Sequence, residues 1–429
     1  MVAGKQRRFE PVKEDISAVG RLTELITGLT RSAFGFIGIF FKALSRNRSG
    51  MAGFIGLMFI LLISTVGAHF IKFDDKPKLD QIGAPPGSRL QLVTQSEDAD
   101  QFKALEDLAG HTLGYIQRSG GEIFLEPYLE QDEPPFELEE FRFRSGRGIS
   151  EAIEALANGE IDALVLFSEG VEQYITDNRD TAQGEQFANL IVSNPQLGGV
   201  HLLGTDTQGR DIFSHIVNGG WKLIRVGLMA GFLSTLIAVT LGSLAALLGG
   251  PIDRFLVSIA NFVLTIPQFP LLVVLAALMG QQLSNWLLLS MLIASLSWPV
   301  LMRAIRAQVL SLREREYVEA AISLGLGVRH VVFYEILPNM MSFVAINFIF
   351  AVIGAMYQQI GLIFLGMAAI NDYTWGVMLY FGRTRGTLFS PDSMSMLLSP
   401  VLAIVLFQVS LVLFARALEE MFDPRLRTA

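Results

Sequence analysis

Val226–Leu248 reads VGLMAGFLSTLIAVTLGSLAALL, 23 positions without an Asp, Glu, Lys or Arg. A hydrocarbon core about 30 Å thick is crossed by roughly 20 helical residues, so this run can span a bilayer. Five further runs share its character: Met51–Phe70, Phe255–Met279, Leu283–Met302, Phe343–Leu365 and Leu397–Phe414. One such run could be a buried core helix. Six, of 18 to 25 residues each, cannot share one soluble core. The fold expected is an all-α polytopic membrane protein with six transmembrane helices.

Composition agrees outside the runs. Of 429 residues, 51% are hydrophobic and 17% charged, against about 25% charged in ordinary soluble domains. Between Lys72 and Leu203 stand 25 acidic and 10 basic residues, a net of −15; the remainder carries 16 acidic and 23 basic, a net of +7. An acidic extracytoplasmic insert (72–203) thus interrupts a basic, apolar frame made of the first span (51–71) and a five-span core (204–429). With no cysteine, disulfides, thiolate metal sites and cysteine nucleophiles are excluded. Five scattered histidines suggest no metal centre, and the acidic total speaks against nucleic acid as a partner.

Orientation follows from Lys and Arg in short loops. Residues 1–50 carry nine, Arg254 one, 303–338 five and the C-terminal tail three, all on one side if six runs span; the opposite short loops carry two, Arg383 and Arg385. Both termini and the 303–339 loop are therefore expected in the cytoplasm. The first run begins behind a charged region, as a signal anchor does. Ala33–Phe41 is either an interfacial helix or part of a loosely ordered tail.

Within the insert, about 101–181 reads as a small α/β unit. His111–Ile116 reads as a strand, Ser150 as the N-cap of a helix stopped at Gly159, Ile161–Phe167 as a buried strand and Glu169–Asp177 as a helix. Strand–helix–strand order suggests a parallel pair. Leu105–Gly110, Glu151–Leu156 and Gly159–Ala163 resemble one lobe of periplasmic amino-acid-type binding proteins. The insert is then a docking module or a ligand site.

The 303–339 loop is the most informative segment. Ser311 and Glu314 have capping-box spacing, and Val318, Ala321, Ile322 and Gly325 fall at i, i+3, i+4 and i+7, a narrow apolar face. Gly325-Leu326-Gly327 permits a sharp turn. Val328, Val331 and Val332 open a second short apolar face, ended by Pro338. Such an element is expected to need the membrane surface or a partner protein to cover it.

Glu319-Ala320-Ala321, Gly325 and Ile336-Leu337-Pro338 match the spacing of the EAA motif of ABC-importer permeases, and Tyr317 through Asn339 resembles their peptide, opine and nickel branch. Gly204-Thr205-Asp206 with Gly209-Arg210-Asp211, Gly249-Gly250 with Asp253, and Asp423–Arg427 are similar to three further stretches of that branch, in order. Together they resemble its C-type (DppC- and OppC-like) subunit over 40–429 apart from the insert. Glu335 stands where that family commonly has His, and the insert is longer than its usual loop.

The resemblance implies a type I importer permease of MetI-like fold in a bacterial cytoplasmic (inner) membrane. It implies peptides or a related small solute as cargo, and membrane lipid, a B-type permease, two ABC ATPases and an extracytoplasmic solute-binding protein as partners. Glu319, Ala320, Ala321, Gly325, Ile336, Leu337 and Pro338 would then form the loop on which an ATPase docks. Pro267 and Pro270, inside the third run, are candidates for a gate or a static kink. Gly204, Asp206, Arg210 and Asp211 are candidates for an external gate element or a turn capping the next helix. Trp221, Lys222 and Arg225 read as interface anchors, and Gly227 and Gly231 as a close helix contact.

No Gly-x-x-x-x-Gly-Lys-Ser/Thr loop occurs, so the chain is expected to be a transport subunit with no catalytic residues. No cofactor is expected on it; ATP and Mg would bind the partner subunits. The spans hold no carboxylate of the kind an ion-coupled secondary transporter uses. That class, and a membrane sensor with an external binding lobe, remain the alternatives.

Overall fold

The structure is a computed structural model that describes residues 44–45, 47–73, 84, 86–102, 105–131, 133–142, 147–167, 176, 190–196, 200–368, 373–384 and 394–422. The expected elements at Ala33–Phe41 and Asp423–Arg427 lie outside these residues, as does Glu169–Asp177 save Thr176.

The first span is helix α1 (Arg48–Phe70). It starts where the Asn47 side chain accepts the Gly50 N–H at 2.8 Å. A mixed sheet follows, from β1 (Leu90–Gln95), β2 (Thr112–Ile116), helix α2 (Gly120–Leu129), β3 (Glu137–Phe141), helix α3 (Arg147–Ala157), β4 (Ala163–Phe167) and β5 (Leu190–Gln196). Its order is β3-β2-β4-β1-β5. Strand β2 runs parallel to β3 and β4, while β1 is antiparallel to β4 and β5.

Alternation along the strands splits the core in two. Leu92, Leu113 and Val165 face the layer that holds Leu125 of α2, whereas Val93, Ile116 and Leu164 face Ile153 and Leu156 of α3. The sheet is therefore buried on both faces, which is why β4 reads as an unbroken apolar run. Two expectations are corrected. Ser150 lies inside α3, which already starts at Arg147, and the unit is wider than 101–181 because β1 and β5 close its antiparallel edge.

After the sheet come α4 (Ile212–Leu248), α5 (Gly250–Thr265), α6 (Gln268–Met279), α7 (Trp286–Arg313), α8 (Glu316–Ser323), α9 (Val328–His330), α10 (Met341–Phe364), α11 (Trp375–Thr384) and α12 (Ser395–Phe422). Among the described residues, five helical stretches are long and apolar enough to cross a membrane. A sixth crossing results if the pair α5 and α6, bent by 80°, counts as one span. The third span expected over Phe255–Met279, with Pro267 and Pro270 as candidates for a kink or gate, is thus two helices. Their break has a local cause. Proline disfavours helical backbone in the residue before it, and Ile266, before Pro267, is extended at φ −91° and ψ 128°.

Small residues set the helix contacts. Gly50, Gly53 and Gly56 of α1 abut Ala417, Leu413 and Ser410 of α12, and Gly227 and Gly231 of α4 abut Met356 and Val352 of α10. Gly242 lets α4 approach the Met302 carbonyl of α7.

Candidate functional site

The loop after α7 forms a compact cap on the end of the bundle opposite the sheet. Helix α7 continues to Arg313, so Ser311 and Glu314 do not open a new helix. Helix α8 starts after Arg315 without a side-chain cap and ends at a left-handed glycine. Gly325 has φ +72°; its N–H donates to the Ile322 carbonyl at 2.9 Å and the Leu326 N–H to the Ala321 carbonyl at 3.2 Å. That paired bonding closes a helix with glycine at the first position beyond its cap. The chain re-enters helix at α9 and widens into a π turn over Val331–Ile336, then a short 3-10 turn at Pro338–Met340.

This cap has two sides. Val318, Ala321, Val331 and Ile336 are buried with Ile305 and Val309 of α7. Val318, Ala321 and Val331 of the apolar face expected to need an outside partner are therefore covered by the chain itself, whereas Ile322 and Val328 of the same face stay exposed. Outward stand Glu319, Ala320 and Gly325, with Leu337 half-buried and Pro338 exposed. Leu324 is 78% exposed, Tyr334 70% and Phe333 56%, a larger apolar surface than the motif residues supply. His330 stacks on Tyr334 at 4.8 Å. Beside the cap, Arg306 of α7 holds Asp253 of α5 by two bonds of 2.5 and 2.6 Å, a fork that ties the broken span to its neighbour.

The second group lies at the other end, where the sheet domain returns to the bundle. Asp206 and Arg210 are fully buried. One Asp206 oxygen accepts the backbone N–H of Gln208 and Arg210, and the other accepts Arg210 Nε at 2.8 Å and Nη2 at 2.5 Å. The Arg210 guanidinium also lies over the Tyr373 ring, 4.5 Å from its centre. Gly204 is left-handed at φ +78° and accepts the Ile212 N–H. Asp211 caps α4 by accepting Ser214 N–H at 2.6 Å and sits 2.8 Å from His201 Nδ1. This is the geometry of a locked turn that caps the following helix.

Of the two prolines, only Pro267 occupies the break; Pro270 is the third residue of α6, where its missing N–H costs nothing. Lys222 and Arg225 line a cavity of about 180 Å³ between α4, α7 and α10, with Trp286 and the buried Gln359.

Residues 238–428 match the family described as binding-protein-dependent transport system inner membrane component. A protein of Brucella suis biovar 1 named as a peptide permease is 34% identical over 238 residues, covering 55% of this chain and 77% of that protein. The chain belongs to that family. The oligopeptide transport system permease OppC of Mycobacterium tuberculosis is 29% identical over 241 residues, 56% of this chain and 80% of that protein. A crystal structure of a mutant of ArgBP from T. maritima aligns at 16% identity over 34% of this chain and 55% of that chain, with a TM-score of 0.21, too low to speak for a shared fold.

In this inner membrane component the matched stretch contains the cap, the broken span and the Asp253–Arg306 fork, and begins after the sheet and the Asp206–Arg210 turn. Sequence reading brings Glu319 and Gly325 to one surface. It misses Leu324, Phe333 and Tyr334, which lie off the predicted apolar face. Lys222 and Arg225, read from the sequence as interface anchors, also contribute to a cavity wall.

Proposed function

We propose that this inner membrane component is the C-type permease subunit of an ATP-driven importer of peptides, paired with a B-type permease and served by an external solute-binding protein. The observation that carries the reading is the two-sided cap. Its inner residues Val318, Ala321 and Ile336 are keyed into α7, and its outer residues Glu319, Ala320, Leu324 and Tyr334 face away from the bundle. A partner seated on the outer side would move the inner side with it, because packed cores shift as units rather than deform. Displacement of the cap would reach α7, and through Gly242 also α4. ATP and Mg would bind in two ATPase subunits, and the positive charge of the short loops supports a cytoplasmic cap and cytoplasmic termini. Peptide cargo is supported by the relatives, which are named as peptide and oligopeptide permeases.

Co-purification from membranes tests the reading. Wild type should retain the ATPases and solute-stimulated hydrolysis, whereas Glu319→Lys and Leu324→Glu should lose both while still inserting. Uptake driven by ion gradients with no ATPase bound would sink it.

A further inference from the structure

Where the third span breaks, three uncharged polar side chains meet. Gln268, the first residue of α6, donates from Nε2 to Ser297 Oγ of α7 at 2.9 Å and to Gln358 Oε1 of α10 at 3.1 Å. Gln358 Nε2 donates to Ser297 Oγ at 3.2 Å, and Ser297 Oγ donates to the Ile293 carbonyl at 2.8 Å. Ser297 lies about 17 Å from the start of α7 and about 24 Å from its end at 1.5 Å per residue. The cluster is therefore near mid-membrane.

Resting on the importer reading, we infer that this cluster is where the chain touches its solute, and that it recognises uncharged amide groups, as in a peptide backbone. Three observations converge. First, all three side chains are half-buried, so they are reached from outside this chain. Polar side chains at that depth face a bundle interior or a watered cavity rather than hydrocarbon. Phe269 and Val300, within three residues of the cluster, are exposed too, so the surface here is mixed, whereas Phe232 and Leu236 of α4 and Leu402 and Leu406 of α12 present apolar side chains to the outside.

Second, the cluster sits on a helix break. Extended backbone at Ile266 and Pro267 at membrane depth is tolerated where it is enclosed by protein or lines water. Polar side chains continue from the break towards the cap, where Arg303 Nη1 donates to Asn261 Oδ1 at 3.3 Å and both are exposed.

Third, the internal bonds leave capacity unused. The Gln268 carbonyl oxygen accepts nothing among the described residues, and one of the two Gln358 Nε2 protons is uncommitted. One free acceptor beside one free donor is the complement of a peptide unit. A neutral pair also binds amides without holding a charge at mid-membrane, so a solute can leave as readily as it arrives.

The chain contains no cysteine, so Gln268→Cys, Gln358→Cys and the lipid-side control Leu402→Cys each place a single thiol. In membranes holding the complete complex, a membrane-impermeant thiosulfonate should modify the first two and spare the third. A tryptic casein digest supplied with the binding protein should slow that modification. Gln268→Leu, with ATPases still bound, should raise the half-saturating concentration of the digest roughly tenfold, the scale of one or two lost hydrogen bonds. Thiols at 268 and 358 that stay unreactive in every nucleotide state would overturn the inference. So would modification that the digest does not slow, together with an unchanged half-saturation, since the cluster would then be a packing latch. Failure of the importer reading shows separately, as absence of ATPases from the wild-type complex, and the labelling pattern reads out either way.

Discussion

At the scale of single residues, Gly325 and the Asp206–Arg210 pair make the sharpest demands. A Cβ at Gly325 would meet no atom within 4 Å, so any penalty for substitution arises in the backbone at φ +72°. For most residues left-handed backbone costs about 1–2 kcal/mol, and Asn tolerates it best. Gly325→Asn should therefore keep ATPase co-purification near wild type, and Gly325→Val should lose most of it as the turn after α8 reshapes. Equal loss in both would place the fault in contact with the partner rather than in the turn. The ion pair is judged by desolvation. Removing one partner of a buried pair costs roughly 3–5 kcal/mol, whereas replacing both with apolar groups is often far milder. Asp206→Asn should lower the melting temperature of the detergent-solubilised chain more than the double change Asp206→Asn with Arg210→Met, which removes the stranded guanidinium and keeps an acceptor for the backbone N–H groups at 208 and 210. A double variant as damaged as the single one would contradict that account. The sequence identifies Glu319 and Gly325 as residues of one loop, but not which neighbours point outward. Periodicity says that a face is apolar and is silent on what covers it. The π turn over Val331–Ile336 adds a residue to its turn and shifts the phase that would have located Tyr334.

At the scale of elements, two prolines three residues apart act differently. Pro267 forces Ile266 out of helical backbone, while Pro270 rests in the first turn of α6. Pro267→Ala should let α5 and α6 approach one continuous helix, carry Gln268 away from Ser297 and cut uptake severely. Pro270→Ala should leave uptake close to wild type. The contrast is read by transport in proteoliposomes at matched protein levels, and equal effects would remove the break from the mechanism. Helix packing offers a parallel case. A Cβ at Gly231 would approach the Val352 backbone nitrogen to 2.9 Å, so Gly231→Leu should wedge α4 from α10 and lower the melting temperature by several degrees. The spacing of Gly227 and Gly231 is visible in the sequence. With 40 glycines in the chain, however, spacing alone does not single out the pair that meets another helix.

At the scale of the whole molecule, an acidic sheet domain stands on a basic helical frame, and the joint between them is narrow. The Gly87 N–H donates to the His201 carbonyl at 2.8 Å, the His201 N–H to the Ser88 carbonyl at 3.0 Å and the Thr205 N–H to the Ala84 carbonyl at 2.9 Å. Among the described residues, the two ends of the domain thus meet in a short paired neck. The spans are legible because a bilayer imposes a length that local composition reveals. The neck and the β1–β5 pairing are not, because they join residues about a hundred positions apart that no local period connects. A domain with its own two-sided core and a closed neck can be removed without opening the frame. Replacing residues 90–196 by a short Gly-Ser turn should leave membrane insertion and ATPase co-purification intact. If the domain receives the binding protein, its net charge of −15 over Lys72–Leu203 adds long-range attraction to a basic face of that protein, and salt weakens such attraction. The wild type should then need less binding protein for half-maximal uptake than the shortened chain, with an advantage that shrinks as ionic strength rises from about 10 mM, where charges act over roughly 30 Å, to about 150 mM, where they act over roughly 8 Å. An advantage indifferent to salt would assign the domain to direct contact at the entrance, and no advantage at all would leave it without a part in solute delivery.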